Sequence, residues 1–146
     1  MHRSGTGIWL DFKDAYIVNI SEGKQTGMQH MRSGVEHKAV KGGTRSKTPW
    51  GPQYSPSDKS VLEKEMRDEQ RYFEEIIKAI PDDTEALVIF GPAEAKIGLK
   101  KAIEDIKHFS PTFYGALSAD YMTQNQIAAL FRNFFANPEQ YAGREE

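Results

Sequence analysis

The sequence contains no cysteine. Disulfide staples, thiolate nucleophiles and cysteine-based zinc sites are thereby excluded, and a reducing compartment suits such a chain. It also lacks a long apolar run. The longest, Ala86-Leu87-Val88-Ile89-Phe90, is far shorter than the roughly 20 residues that span a bilayer. Met1-His2-Arg3-Ser4-Gly5-Thr6-Gly7 leads into no apolar h-region, so no signal peptide is read there and no membrane partner is expected. Cytoplasm is the expected address. Acidic residues are missing from one stretch in particular: between His37 and Ser57 there are none, although the whole chain carries 21 Asp+Glu against 19 Lys+Arg.

That acid-free stretch holds Lys38, Lys41, Arg45 and Lys47, and its centre runs Val40-Lys41-Gly42-Gly43-Thr44-Arg45-Ser46-Lys47-Thr48-Pro49-Trp50-Gly51-Pro52-Gln53. Glycine and proline in this number leave no sustained apolar period, so residues 37–57 are predicted to form one long basic loop. Loops of that length in a compact domain are commonly functional or disordered. Cations beside an aromatic residue fit an anionic partner with planar groups. On this reading Lys38, Lys41, Arg45 and Lys47 contact RNA phosphate, Gly42 and Gly43 permit close approach, and Trp50 or Arg45 stacks on an unpaired base. The competing readings are a solvated charge run, a Trp50 that folds back as a hydrophobic anchor, and glycines that only make turns. Whole-chain electrostatics would not draw the protein to nucleic acid: residues 1–80 carry 13 Lys+Arg and 11 Asp+Glu (net +2), and residues 81–146 carry 6 and 10 (net −4). Any such binding is local.

At 146 residues, 38% hydrophobic and 27% charged, the chain is expected to form a single globular domain over residues 1–136, followed by a flexible tail from Asn137 to Glu146. Gly7-Ile8-Trp9-Leu10-Asp11-Phe12, Ala15 to Ile20 and a weaker segment from about Thr26 to Val35 read as three strands. Turns at Lys13-Asp14 and Ser21-Glu22-Gly23-Lys24 make them an antiparallel meander. After the loop, Ser57 or the Ser60/Glu63 pair starts a long amphipathic helix through Leu62, Met66, Phe73, Ile76, Ile77 and Ile80, which Pro81-Asp82-Asp83 stops. Ala86–Phe90 reads as a strand covered on both faces. Ala93–Ile106 returns to helical spacing, a last strand lies near Phe113–Leu117, and Thr123-x-x-Gln126 caps a final helix with Ile127, Leu130, Phe131, Phe134 and Phe135 on its apolar side. The order βββαβαβα predicts an α/β fold of ribonuclease H-like order, with a mixed sheet and helices on both faces.

Three stretches carry a family resemblance: Gly42-Gly43 with the Arg45–Gln53 run, Phe90-Gly91-Pro92-Ala93-Glu94-Ala95-Lys96, and Asp120-x-Met122-Thr123-x-x-Gln126-Ile127. Together they resemble the middle domain of archaeal and eukaryotic class-1 peptide-chain release factors and of the rescue factor Pelota. The similarity is greatest to the bacterial archaeo-eukaryotic-type release-factor-like proteins. It covers about residues 7–135. In that family the loop carries Gly-Gly-Gln, and the resemblance implies a ribosomal partner and assistance to water attacking a peptidyl-tRNA ester. Here Gly42 and Gly43 match, Thr44 stands in the third position, and a glutamine follows only at Gln53. Gly42, Gly43, Thr44 and Gln53 are therefore the catalytic candidates, with peptidyl-tRNA hydrolysis as an alternative to binding of the ribosome or structured RNA alone.

Two further classes remain open at this stage. A magnesium-dependent nuclease would use Asp11 on the first strand with carboxylates such as Glu94 and Asp120, although Asp11 also fits an exposed turn and Asp120 a helix N-terminal charge. A protein-interaction module would have a stable protein partner and none of these activities. Gly91-Pro92-Ala93-Glu94 puts amides at a helix N-terminus but lacks the P-loop pattern, and Lys96 beside it fits either an acid or a phosphate. His2, His30, His37 and His108 have no tight ligand spacing, so no metal is expected. No cofactor is implied.

Overall fold

The computed structural model describes residues 4–34 and 56–141, with side chains in the second stretch from Ser60 onward. Five strands form one sheet: β1 (Ser4–Leu10), β2 (Asp14–Ser21), β3 (Lys24–Arg32), β4 (Ala86–Gly91) and β5 (Thr112–Ser118). Three helices follow or intervene: α1 (Pro56–Lys78), α2 (Ala95–Glu104) and α3 (Gln124–Ala136). Their spatial order is β3-β2-β1-β4-β5. β1, β2 and β3 pair antiparallel, whereas β4 lies parallel to both β1 and β5. The sheet is mixed, as the element order predicts, and this order is compatible with the ribonuclease H-like arrangement expected from the sequence.

Local chemistry accounts for the connections. Glu22 and Gly23 both adopt positive φ, at 51° and 80°, the geometry of a two-residue hairpin turn that matches the twist of β2 and β3. Proline opens α1, where its missing N–H costs nothing. Thr123 accepts the Gln126 amide while the Gln126 side chain accepts the Thr123 amide at 2.8 Å, so the anticipated capping box is present at α3. Register shifts interrupt the β2–β3 ladder at Asn19/Ile20 and the β4–β5 ladder at Leu87/Ile89; opposite the second, Gly115 has φ 90°.

Alternation along the strands divides the core in two. Ile8, Leu10, Ile17, Leu87 and Ile89 face α1 and α2, where Tyr72, Phe73, Ile76, Leu99 and Ile103 meet them. Trp9, Val18, Ile20, Val88 and Phe90 face α3, which contributes Ile127, Phe131, Phe134 and Phe135. Helices thus cover both faces. Gly5 and Gly7 of β1 let α3 come close: a β-carbon on Gly5 would stand 2.6 Å from the Phe135 ring, and one on Gly7 would overlap Phe131.

Several boundaries differ from the sequence reading. β1 begins at Ser4, three residues earlier than expected. Its start is tied to the residue before β4 by Ser4 N–H donating to Glu85 Oε1 at 3.1 Å. β3 runs from Lys24 to Arg32, and α2 begins at Ala95. Pro138–Tyr141, expected in a flexible tail, forms a 3₁₀ turn whose Tyr141 ring lies 5.1 Å from Phe134 and 6.0 Å from Phe90.

Candidate functional site

Lys38, Lys41, Gly42, Gly43, Thr44, Arg45, Lys47, Trp50 and Gln53 lie outside the described residues, whereas Ser57, expected to cap α1, falls inside the helix, which begins at Pro56. The elements that lead into and out of the basic stretch are described, and they converge on one turn. Between β1 and β2, Asp11 Oδ1 accepts the backbone amides of Lys13 at 2.8 Å and Asp14 at 2.7 Å, while Asp11 N–H donates to Asp14 O. This is an Asx-type turn, stabilised by a carboxylate that supplies the acceptor a backbone turn would otherwise need. Asp11 is 9% exposed.

β3 leaves the sheet beside that turn. Ser33 donates its amide to Lys13 O at 2.9 Å and its hydroxyl to Phe12 O at 2.6 Å. α1 is fastened to the same place: the Tyr72 hydroxyl donates to Asp11 O at 3.0 Å. Burial, followed by the negative charges of Asp11 and Asp14, pushes the Tyr72 phenol far above its ordinary value, so it remains a hydrogen-bond donor. The connection from β5 to α3 arrives from the other side. Desolvation, the Asp11 charge and a hydrogen bond to the Asp11 carboxylate raise the Tyr121 phenol as well. The Tyr121 ring meets Trp9 edge-on at 5.5 Å, and Trp9 Nε1 donates to Asp120 O at 3.3 Å.

An aromatic row continues across the sheet from Trp9. Tyr16 lies 6.1 Å from Trp9, and His30 stacks on Tyr16 at 4.5 Å with planes 8° apart. His30 Nε2 is 2.8 Å from Asp14 Oδ1, and Arg32 Nε is 3.9 Å from the same oxygen. Arg32 is the described cation nearest in sequence to the basic stretch, and its side chain is 84% exposed.

The nuclease candidates do not come together as a metal centre. Asp11 has a structural task in its turn, and Asp120 is exposed where its carbonyl receives Trp9. Glu94 occupies the position before α2 without capping it through its side chain. Among the described residues no group of three His, Cys, Asp or Glu side chains is placed to hold a metal ion. Lys96 is buried, and its Nζ donates to Ala93 O at 2.8 Å. A β-carbon on Gly91, the last residue of β4, would overlap the Leu10 carbonyl oxygen, so glycine there serves close strand packing.

Tyr72, Ser33 and Tyr121 were not singled out by the sequence. Their partners lie 61, 21 and 110 residues away or at comparable range, and no local pattern signals such contacts.

No protein-family model matches the chain. No curated protein matches it in sequence. In structure it is similar to an archaeal translation termination factor, aRF1, with a TM-score of 0.52 and 8% sequence identity. The match takes in 95% of this chain and 41% of the factor. The chain therefore spans well under half the length of that protein, and the likeness is one of fold. It agrees with the release-factor resemblance at that distant structural level. Among the described residues no helix is long and apolar enough to cross a membrane.

Proposed function

We infer that this is a translation-associated protein that binds the ribosome or structured RNA through residues 37–57. The observation that carries this reading is the concentration of Lys38, Lys41, Arg45 and Lys47 in an acid-free stretch, within a chain of net charge −2. The shared fold with a translation termination factor supports the translation-related part. Ser33, bonded to the turn between β1 and β2 just before the stretch, supports a defined N-terminal root for it. A ribosomal partner implies a cytoplasmic address.

Ribosome pelleting across a salt series tests the reading. Three phosphate contacts would give a slope in log K against log salt of about −2, using about −0.7 per contact on single-stranded nucleic acid. The Lys41→Ala/Arg45→Ala/Lys47→Ala variant should lose that portion of the slope and most of its binding. A variant that pellets like the parent at every salt concentration refutes the role of these cations.

Gly42-Gly43 together with the termination-factor fold favours peptidyl-tRNA ester hydrolysis as a second reading. Backbone amides of a glycine-rich turn can stabilise an oxyanion, and Thr44 retains such an amide. Release of labelled peptide from a ribosome–peptidyl-tRNA complex, lost on Gly43→Ala, is the expected result. Absence of release by the parent leaves binding as the activity.

A further inference from the structure

We propose that His30 is a stacking site for an unpaired base of single-stranded RNA, with Arg32 against the adjoining phosphate. The site consists of strand residues, uses none of residues 37–57, and stands whether or not those residues bind RNA. Trp9 and Tyr16 are register partners across β1 and β2, and Tyr16 and His30 are partners across β2 and β3. Three rings therefore lie side by side on one face of the sheet. They run from core to margin: Trp9 is buried, Tyr16 half-buried and His30 exposed, on a strand that is outermost among the described residues.

The outer pair is already a stack. His30 and Tyr16 lie 4.5 Å apart with planes 8° apart, whereas the planes of Trp9 and Tyr16 are tilted by 56°. α3 covers the neighbouring Val18 and Met28 on that face but leaves His30 open. The imidazole is also held in place, since its Nε2 is 2.8 Å from Asp14 Oδ1. A ring fixed before contact loses little conformational freedom on binding. Every base has a flat π-face, and one more plane laid on His30 continues the stack that Tyr16 begins.

Charge selects the occupant. β3 contains no acidic residue. Asp14 on the adjacent strand is engaged by His30 and lies 3.9 Å from Arg32 Nε, so its charge is partly balanced. Arg32 is two residues from His30, hence on the same face, and its side chain is 84% exposed. An aromatic peptide side chain would use the ring alone, whereas a nucleotide brings a phosphate for the guanidinium as well.

NMR titration with hexaadenylate tests the site. The His30 ring protons should move upfield as a base stacks on the imidazole, and an abasic strand of the same length should not move them. Equal movement with the abasic strand, or none with hexaadenylate, overturns the proposal. So does movement with N-acetyl-tryptophanamide in place of hexaadenylate, which assigns the ring to a protein partner. His30→Ala should bind labelled hexaadenylate about tenfold more weakly, the usual value of one stacked base. His30→Phe keeps a planar ring without the bond to Asp14, and should lose only about threefold for the ordering of one side chain. Parent-like binding by His30→Ala, or equal losses for the two variants, overturns stacking. Arg32→Gln should lower the slope of log K against log salt by about 0.7, one phosphate contact on a single strand. An unchanged slope overturns the part given to Arg32. In the Lys41→Ala/Arg45→Ala/Lys47→Ala variant, the His30 movement should persist at saturating hexaadenylate. Its loss there overturns the site, because all RNA contact then belongs to residues 37–57. Parent-like ribosome pelleting by that variant refutes only the basic stretch, and a persisting His30 movement then supports this site on its own.

Discussion

Gly7 of β1 lies directly beneath the ring of Phe131 in α3, so close that any β-carbon there would overlap it. α3 rests on a strip of bare backbone, and its height above the sheet is set by this contact. Gly7→Ala is therefore expected to destabilise the fold by about 1–3 kcal/mol, the usual cost of overpacking. Urea unfolding gives the value. Phe131→Leu in the same chain should recover part of the loss, so that the two substitutions are not additive.

The Tyr72 phenol makes stability depend on alkaline pH. Its folded pKa lies above the unfolded value of about 10, so the folded state keeps a proton that the unfolded chain releases. The stabilisation is complete below pH 10 and is lost progressively as the pH rises beyond it. Denaturant midpoints should fall above pH 10, and Tyr72→Phe should flatten that decline. Near neutral pH the same substitution should cost about 1–2 kcal/mol, because it leaves the Asp11 carbonyl without its buried donor.

The carboxylate of Asp11 supports the turn that anchors both neighbours of the basic stretch. Asp11→Ala leaves the amides of Lys13 and Asp14 without their acceptor, and a loss of about 2–3 kcal/mol is expected from calorimetry or urea titration. Asp11→Asn keeps an acceptor oxygen and should lose less. Equal losses for Asn and Ala would show that the charge, and not the acceptor, matters.

At α3, Thr123→Ala removes one half of the capping box and should lower stability by about 1 kcal/mol, while Thr123→Ser should retain most of it. Amide exchange at Gln126 offers a local readout, since its N–H donates to the threonine hydroxyl at 3.2 Å.

What the sequence disclosed and what it withheld divide along range. Ala86–Phe90 was legible as a doubly covered strand because five consecutive apolar residues need cover on both sides. The α3 cap was legible because Thr123 and Gln126 act across three residues. β1 was read too short: Gly5 and Gly7 on either side of Thr6 dilute its strand signal, and the reason for glycine at position 5 is a ring contributed by Phe135 from the far end of the chain. At the candidate site, the basic charge was evident from composition alone. Asp11 was open between a metal ligand and an exposed turn residue, and its role becomes visible only when Tyr72 and Ser33 arrive from distant segments. Hydrogen bonds to backbone carbonyls leave no periodicity to detect, which is why these two residues passed unnoticed.

The irregularities in the two outer ladders bear on how the protein keeps its own company. Among the described residues β3 and β5 are the outer strands of the sheet, and each meets its neighbour through a break in register, at Asn19/Ile20 and Leu87/Ile89. A bulge twists an edge and interrupts the even row of amides and carbonyls that a sixth strand would need. Gln25, Thr26, Gly27, Met28 and Gln29 form an uncharged edge of the sort that templates fibrils, yet the offset opposite Asn19 falls within it. Such offsets disfavour the addition of a further strand at either edge.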